Sequence, residues 1–445
     1  MTAHTDLRHS EPVATAINGQ HKSIPFLPLS YDSHNSEASS IELIKAIEPD
    51  WVSVGGNNLN DGVKIVRCTD GITNTLLKII NTANGTRSTD EADKHAFLLR
   101  AYGKGTDVII DREREAENHE LLMRHDLAPE LLARFQNGML YRYIRGTVTH
   151  PEDLRRPEIF TAVARRLAEW HATVPCIAAK DSGKTATNTT IPTQGRARSA
   201  TSGKPVPNMW TVLQKWILAL PTQTDSQKNN QSTLQAEFEW LRELLGGRPT
   251  LGENGLVFAH CDLLHGNIIV EPKDVTVASG SDQDLTVCFI DYEYATPSPA
   301  AFDICNHFAE WGGFECDYNV MPSKAQRLSF IRNYIATYFA KKDGNGANST
   351  TNLSNGTATT SLLTEELENE SQKLFIEVDL FRGIPGFYWG IWSQIQAVIS
   401  EIDFDYASYA NVRLGEYWAW KAEFQGTRKP DTELCLREKR WAAEE

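Results

Sequence analysis

One loop and one strand end carry the residues of this sequence that are best suited to chemistry. Asp262 and Asn267 lie in the pattern His-x-Asp-x-x-x-x-Asn, which begins at His260, and Asp291 follows the apolar run 287–290. A carboxylate can orient a hydroxyl group and accept its proton, while an amide oxygen and a second carboxylate can hold a metal ion against phosphate groups. The pattern therefore predicts phosphoryl transfer, with Asp262 as the catalytic residue and Asn267 and Asp291 as metal ligands.

A structural role for these residues is the alternative. A His-x-Asp pair is common, and an aspartate after a strand often caps a turn, so either feature by itself favours structure over catalysis. The full set in this order favours catalysis, because protein kinases use the same spacing in their catalytic loop. His260 is predicted to be a hydrogen-bonding residue of the loop and not a base, and Tyr292-Glu293 stand where protein kinases have Phe-Gly.

Two groups of elements must position these residues. Apolar runs bounded by turn residues predict strands near the N-terminus, at 63–68, 75–80, 96–102 and 140–144, with one helix that begins at Asp111. Later, the apolar spacing predicts helices at 159–174, 209–220 and 234–245, with short strands at 256–260, 268–270 and 287–290. This order predicts an α+β, bilobal protein-kinase-like fold with a small β-rich N-lobe and a larger, mainly helical C-lobe.

Polar segments of low complexity separate and flank the predicted lobes. Segments rich in Ser, Thr, Asn and Gly cannot bury enough apolar surface to offset the entropy lost on ordering. The predicted organisation is a disordered tail over 1–40, an ATP-binding N-lobe over 41–148, a C-lobe over 149–425 with disordered insertions at about 179–205 and 342–361, and a tail over 426–445.

Composition excludes some classes of function. The 445 residues carry a net charge of −14, which argues against nucleic acid as a partner, and no apolar run is long enough for stable membrane insertion. The seven cysteines are scattered, and the N-terminus lacks a charged start followed by an apolar core, so we expect a cytoplasmic protein with reduced thiols.

Several longer segments resemble one known family. They are Arg100-Ala-Tyr-Gly, Asp111-Arg-Glu, Ile290-Asp-Tyr-Glu-Tyr-Ala, and the segments 302–311, 389–392 and 402–410. Together they are similar to the choline/ethanolamine kinase family over most of residues 50–175 and 205–422. The resemblance implies ATP and Mg²⁺ as cofactors and a small amino alcohol as the phosphoryl acceptor.

The resemblance also implies an ATP-binding set in the N-lobe. Arg100 would reach the ATP phosphates, Glu115 would pair with Arg100, and the hairpin that contains Gly71 and Asn74 would cover the phosphates. Each has a simpler alternative. Charged residues on neighbouring elements often form a solvated surface pair worth under about 1 kcal/mol, and a hairpin without Gly-x-Gly-x-x-Gly can be an ordinary β-turn.

The C-terminal part is dense in aromatic residues, which the resemblance assigns to a cation-binding pocket. Aromatic faces attract a cation by about 0.5–2 kcal/mol each, although core packing is the common alternative for such a stripe. Glu293, Glu310 and Asp303 are the candidate acceptors for an ammonium group, and Asp303 is also predicted to brace the catalytic loop. The amine-binding set is Glu293, Tyr294, Trp311, Trp389, Trp392, Phe404, Tyr406 and Tyr409.

The acceptor that the resemblance favours is ethanolamine, for phosphatidylethanolamine synthesis. Asp262-Leu263-Leu264 is similar to the loop of family members that act on ethanolamine, whereas those that act on choline usually have Gln at the position of Leu264. Cys261 departs from the usual His-Asn-Asp but is not expected to touch substrate. Choline or dual specificity stays open, as does a homodimer. An aminoglycoside phosphotransferase, a protein kinase and an inactive scaffold are the more distant alternatives.

Overall fold

A six-stranded sheet forms most of the N-lobe in the computed structural model, which describes residues 24–52, 63–68, 74–82, 89–103, 109–176, 207–272, 285–344, 356–400, 402–429 and 436–444. The order of the strands is β1-β5-β6-β4-β3-β2, and only β1 pairs in parallel. The strands are β1 (Phe26–Leu27), β2 (Val63–Cys68), β3 (Asn74–Asn81), β4 (Phe97–Tyr102), β5 (Leu131–Phe135) and β6 (Gly138–Arg142).

Helices cover this sheet. The N-lobe helices are α1 (Ser36–Lys45), α2 (Thr89–Lys94) and α3 (Arg112–Met123). Leu43 and Ile44 of α1 pack on the sheet against Leu77 of β3 and Phe97 and Leu99 of β4, which alternate with less buried positions as expected for a sheet with one covered face. The N-lobe therefore has its own small apolar core.

The C-lobe is mainly helical. Its helices are α4 (Pro157–Thr173), α5 (Met209–Ala219), α6 (Asp225–Leu245), α7 (Ala300–Ala309), α8 (Lys324–Gly344), α9 (Gly356–Phe381), α10 (Ile384–Ile399), α11 (Tyr406–Phe424) and α12 (Leu436–Ala442). Every residue of α7 is buried, so this helix forms the centre of the lobe. A single large apolar cluster connects α4, α5, α7 and α10.

Short strands in the C-lobe hold the predicted catalytic residues. They are β7 (Thr147–Val148), β8 (Val257–Ala259), β9 (Ile268–Val270), β10 (Val287–Phe289) and β11 (Thr296–Ser298). Phe289 pairs with Ile268 in the antiparallel β9–β10 hairpin, and the Ile290 N–H donates to the Asn267 carbonyl oxygen at 3.0 Å. This register places Asn267 and Asp291 side by side, because one precedes β9 and the other follows β10.

Most of the predicted elements are present. The strands at 63–68, 75–80 and 96–102 are confirmed, and Asp111 is the N-cap of α3, with its side chain accepting from the Arg114 N–H. Helix α6 begins at Asp225, earlier than the predicted 234, because Thr224 and Gln227 form a capping box. Strand β5 was not predicted.

The predicted tails are too long. Residues 26–27 pair with β5 and helix α1 begins at Ser36, so the folded chain starts well before residue 41. At the other end, the Trp441 side chain is buried and donates to Asp379 at 2.9 Å, which ties α12 to α9. One buried aromatic side chain thus holds a segment whose composition is otherwise polar.

The predicted insertions lie largely outside the described residues. Residues 179–205 are not described, and α8 and α9 extend into both ends of the segment 342–361. Among the helices that are described, none combines the length and apolarity needed to cross a bilayer.

Candidate active site

The loop between β8 and β9 presents the predicted catalytic residue. Asp262 is buried, and the Asn267 side-chain amide donates to its carbonyl oxygen at 2.8 Å and to its Oδ2 at 3.2 Å. His260 Nε2 lies 3.0 Å from the Ile290 carbonyl oxygen, which fastens the loop to the end of β10. His260 thus serves as a hydrogen-bonding residue of the loop, as predicted.

Helix α7 braces this loop from the protein interior. The Asp303 carboxylate accepts from the backbone N–H of His260 at 2.9 Å and of Cys261 at 2.7 Å, and it also contacts His171 Nε2 at 2.9 Å. Although burial acts to raise the pKa of Asp303, the His171 contact and other hydrogen bonds lower it, so this carboxylate is held ionised. The predicted bracing role of Asp303 is confirmed by these contacts.

Two further α7 residues reach the same loop. The Asn306 side chain donates to the Cys261 carbonyl oxygen at 2.9 Å, and His307 Nδ1 lies 2.8 Å from the Leu263 carbonyl oxygen. Asn306 and His307 stand three and four positions after Asp303, about one helical turn, so the three side chains share one face of α7. Helix α7 therefore fixes the loop backbone on both sides of Asp262, at His260, Cys261 and Leu263.

Two residues of the site have left-handed backbone conformations. The φ angles of Cys261 and Asp291 are 64° and 66°, a region that non-glycine residues rarely adopt. At Cys261 the contacts from α7 hold this conformation in place. Such conformations persist where the surroundings over-determine them, and they often mark functional sites.

Arg100 lies at the centre of a buried charge cluster between the lobes. Its guanidinium contacts Glu115 at 3.1 Å, Asp291 at 2.9 Å, and Glu293. Arg112 joins the cluster through Glu115 at 2.8 Å and Glu293 at 3.3 Å. The predicted Arg100–Glu115 pair is therefore present, and it is buried instead of solvated.

Carboxylates around Asp262 make its ionisation unfavourable. Burial raises the pKa of Asp262 well above its usual range, and the negative charges of Asp291, Glu310 and Glu293 raise it further. Burial and Asp291 likewise raise the pKa of Glu293, to about 8, against the opposing charge of Arg100. A cation that enters this space would relieve the repulsion.

Asn267 and Asp291 offer the oxygen ligands that suit Mg²⁺. The Asn267 amide nitrogen is committed to Asp262, which leaves its Oδ1 as the atom for a metal ion. Within the described ranges, no three His, Cys, Asp or Glu side chains converge as a metal-binding group. These residues fit a magnesium ion that takes its other ligands from phosphate and water, which is how Mg²⁺ is commonly held beside nucleotides.

A cavity of about 390 Å³ extends from Asp262 into an aromatic region. Its walls combine the carboxylates with rings from α10, from α11 and from several loops. The lining residues are Asp262, Leu264, Gly266, Asn267, Asp291, Glu293, Tyr294, Glu310, Phe314, Glu315, Trp389, Trp392, Ile402, Asp403, Phe404, Tyr406 and Tyr409.

Hydrogen bonds fix the two tryptophans of α10. Trp392 Nε1 donates to the Tyr294 hydroxyl at 2.9 Å, and Trp389 Nε1 donates to Asn306 Oδ1 at 2.8 Å. Their ring centroids lie 5.5 Å apart in an edge-to-face arrangement. Asn306 thus connects Trp389 to the loop of Asp262, since its side-chain amide also donates to the Cys261 carbonyl oxygen.

The cavity brings together most of the amine-binding residues predicted from sequence. Trp311 is the exception, because it is buried against Phe160 and Phe308 and donates to His307 Nε2 at 3.2 Å, away from the cavity. Gly71 lies outside the described residues. Asn74 contacts Glu293 at 3.3 Å.

Some site residues were not predicted. Arg112 could have been found, since it stands three positions before Glu115 on α3. Phe314 and Glu315 come from a loop that no periodicity or motif spacing identifies, and Asp403 lies in the segment 402–410 that carries the resemblance but was given no role.

Comparisons with known proteins agree on one family. A family profile described as choline/ethanolamine kinase matches residues 65–418. The chain is 34% identical to the ethanolamine kinase of Drosophila melanogaster over 74% of this chain and 55% of that protein, so it spans little more than half of that relative. It is 30% identical to ethanolamine kinase 1 of Homo sapiens over 90% of this chain and 75% of that protein.

Solved structures support the bilobal fold. An ethanolamine kinase of Plasmodium vivax matches with a TM-score of 0.56 and 23% identity, covering 86% of this chain and 89% of that one. A choline kinase of Cryptosporidium parvum matches with a TM-score of 0.57 and 19% identity, covering 88% and 97%. The predicted fold class is confirmed, but these two likenesses do not separate the two acceptors.

Proposed function

Because the chain belongs to the choline/ethanolamine kinase family, we propose that it transfers the γ-phosphoryl group of ATP to the hydroxyl group of ethanolamine. The observation that carries the proposal is the cavity that runs from buried Asp262 to the aromatic rings of Trp389 and Trp392. One end suits a hydroxyl nucleophile, and the other suits a small cation.

Asp262 is the residue that receives the acceptor hydroxyl. Its carboxylate lies on a loop fixed by α7, so it can orient the hydroxyl oxygen towards the phosphoryl group and accept its proton. Transfer then forms an O–P bond to ethanolamine and breaks the bond to ADP, through a loose transition state with charge on the phosphoryl oxygens. No covalent intermediate on the protein is needed.

Asn267 and Asp291 would hold Mg²⁺, which neutralises phosphate charge when bound. The nucleotide would lie between the lobes, with Arg100 near its phosphates and Glu115 holding Arg100. The hairpin that includes Asn74 would cover the phosphates from the N-lobe, as the family resemblance suggests.

Glu310 is the best-placed acceptor for the ammonium group. It lines the cavity, and its buried carboxylate is held by Arg413 at 3.6 Å. The carboxylate of Glu293 is instead engaged by Arg100, Arg112 and Asn74 at the phosphate end. The rings of Trp389, Trp392, Tyr406 and Tyr409 would surround the cation.

Ethanolamine is favoured over choline on two grounds. Leu264 lines the cavity where choline-specific members of the family usually have Gln, and the similar curated proteins from fly and human bear the ethanolamine kinase name. A product used for phosphatidylethanolamine, action in the cytoplasm and a homodimer remain predictions that go with this assignment.

A kinetic comparison of the two acceptors tests the proposal. Purified protein with ATP and Mg²⁺ should give a higher kcat/KM for ethanolamine than for choline, measured by ADP release with product identification. A higher value for choline would reverse the acceptor assignment. Absence of turnover with either amine, together with no thermal shift on adding Mg-ATP, would instead indicate an inactive scaffold.

A further inference from the structure

Two carboxylates stand at the entrance of the cavity and differ from those inside it. Six carboxylate side chains line the cavity, and among the lining residues that the structure describes there is no Lys, Arg or His. Glu315 and Asp403 are exposed, whereas Asp262 and Glu310 are buried. The entrance is therefore acidic as well as the interior.

The inner carboxylates already have partners. Asp291 and Glu293 contact Arg100, Glu310 lies beside Arg413, and Asp262 accepts from Asn267. The charge of these carboxylates is therefore partly balanced by neighbouring side chains, and their contacts hold them at the two ends of the cavity.

The charges of Glu315 and Asp403 are not balanced in this way. Within the part of the chain that the structure describes, neither Glu315 nor Asp403 has an ion-pair partner. Each is next to a phenylalanine, and the rings of Phe314 and Phe404 meet edge-to-face with centroids 6.0 Å apart. This ring contact holds the two loops together, so that both carboxylates border one opening. We call these four residues the acidic mouth.

We propose that Glu315 and Asp403 steer the cationic amino alcohol into the cavity. Unbalanced charge of one sign at the entrance of a cleft with apolar walls raises the local concentration of a small ion of opposite sign. The net charge of −14 over the chain adds to this potential. This steering role extends the proposed function and rests on it, because it requires a cationic substrate.

Steering predicts a particular dependence on salt. Exposed charges are screened beyond a Debye length, which is about 30 Å at 0.01 M and about 3 Å at 1 M ionic strength. Removing both charges at the mouth should therefore matter at low salt and cease to matter at high salt. A change in packing would not follow ionic strength in this way.

The test uses the double variant Glu315→Gln/Asp403→Asn in the full-length chain. At about 10 mM ionic strength, kcat/KM for ethanolamine should fall about three- to fivefold, and at about 0.5 M the loss should shrink to less than about twofold. The kcat at saturating amine should be unchanged, and the KM for ATP, an anion, should not rise.

The matched control is Glu239→Gln/Glu243→Gln. These glutamates are exposed on α6 and do not line the cavity, so this variant changes the net charge equally at positions outside the cavity. It should keep the wild-type salt dependence. Equal losses in both double variants would show that only overall charge matters and would overturn the role of the mouth.

Choline provides a second discriminating arm. It carries the same charge as ethanolamine but has no N–H group, so steering predicts similar fold-losses for both amines in the mouth variant. A much larger loss for ethanolamine would show that the two carboxylates accept hydrogen bonds, which contradicts steering. If the wild-type protein turned over neither amine, the proposed function would be rejected. If the mouth variant kept the salt dependence of the wild type, only the steering role would be rejected.

Discussion

The two ends of the cavity differ in what they contribute to stability. At the end that holds Asp262, which is the proposed catalytic end, this side chain is buried among other carboxylates and has a raised pKa, and Cys261 and Asp291 have left-handed backbones. At the aromatic end, Trp389 and Trp392 are packed, and each donates one hydrogen bond. The arrangement around Asp262 lowers the stability of the fold and is held in place by its surroundings. The packed tryptophans raise that stability. The proposed active site therefore combines residues that lower stability with residues that raise it.

The largest expected effect is at the catalytic end. Asp262→Asn should lower kcat by about 10²- to 10⁴-fold, because it removes the proton acceptor while keeping the side-chain shape. The same variant should have a higher Tm than wild type without Mg²⁺, since it removes a buried charge that its neighbours repel. Calorimetry and steady-state kinetics check both results, and a lower Tm would contradict the contrast drawn above.

At the aromatic end, one substitution should weaken both amine binding and the stability of the fold. Trp392→Ala should raise the KM for ethanolamine about 2- to 30-fold, as expected for losing a cation–π contact of about 0.5–2 kcal/mol. It should also lower the free energy of unfolding by about 3–5 kcal/mol, because a large buried ring is deleted. Trp392→Phe is the control and should retain most of the stability. An unchanged KM in the folded Ala variant would remove Trp392 from the amine site.

The stability difference at Asp262 should depend on pH. A carboxyl group with a raised folded-state pKa stabilises the fold at pH values below its unfolded pKa of about 4, and that contribution is lost as pH rises through the folded pKa. The Tm advantage of Asp262→Asn should therefore be small near pH 4 and grow towards neutral pH. A Tm advantage of Asp262→Asn that shrinks as pH rises would contradict this prediction.

The smallest effect is expected at Cys261. Its Sγ is buried next to Ser298 Oγ at 3.4 Å and does not line the cavity, although the residue adjoins Asp262. Cys261→Ser should keep kcat within about twofold, because the backbone N–H and carbonyl contacts to α7 hold the loop. A tenfold loss of kcat in a variant with normal Tm would mean that the thiol itself shapes the site.

The sequence predicts the catalytic end better than the aromatic end for a physical reason. His260, Asp262 and Asn267 lie on one loop, and the strand that precedes Asp291 pairs with the strand that follows Asn267. Local spacing and one hairpin register are therefore enough to bring them together. The buried state of the Arg100–Glu115 pair depends on packing between elements, which spacing does not encode.

The aromatic end depends on tertiary contacts. Trp311 and Trp389 look alike in sequence as aromatic residues on apolar helical segments, yet one packs into the core and the other lines the cavity. The loop residues Phe314 and Asp403 reach the cavity only through the fold of the C-lobe. The direction in which each side chain is buried, and not its residue type, decides these roles. A single sequence does not encode that direction.

Helix α7 couples the two ends of the cavity. Asp303 near its start holds the loop of Asp262, and Glu310 directly follows its last residue, so about 10 Å of rigid helix separates the two anchoring points. One rigid helix thus places both the loop of Asp262 and the carboxylate of Glu310, so the two ends of the cavity are fixed relative to each other. A substitution that displaced this helix would disturb both ends of the cavity at once, although residues 300–309 are not among the lining residues.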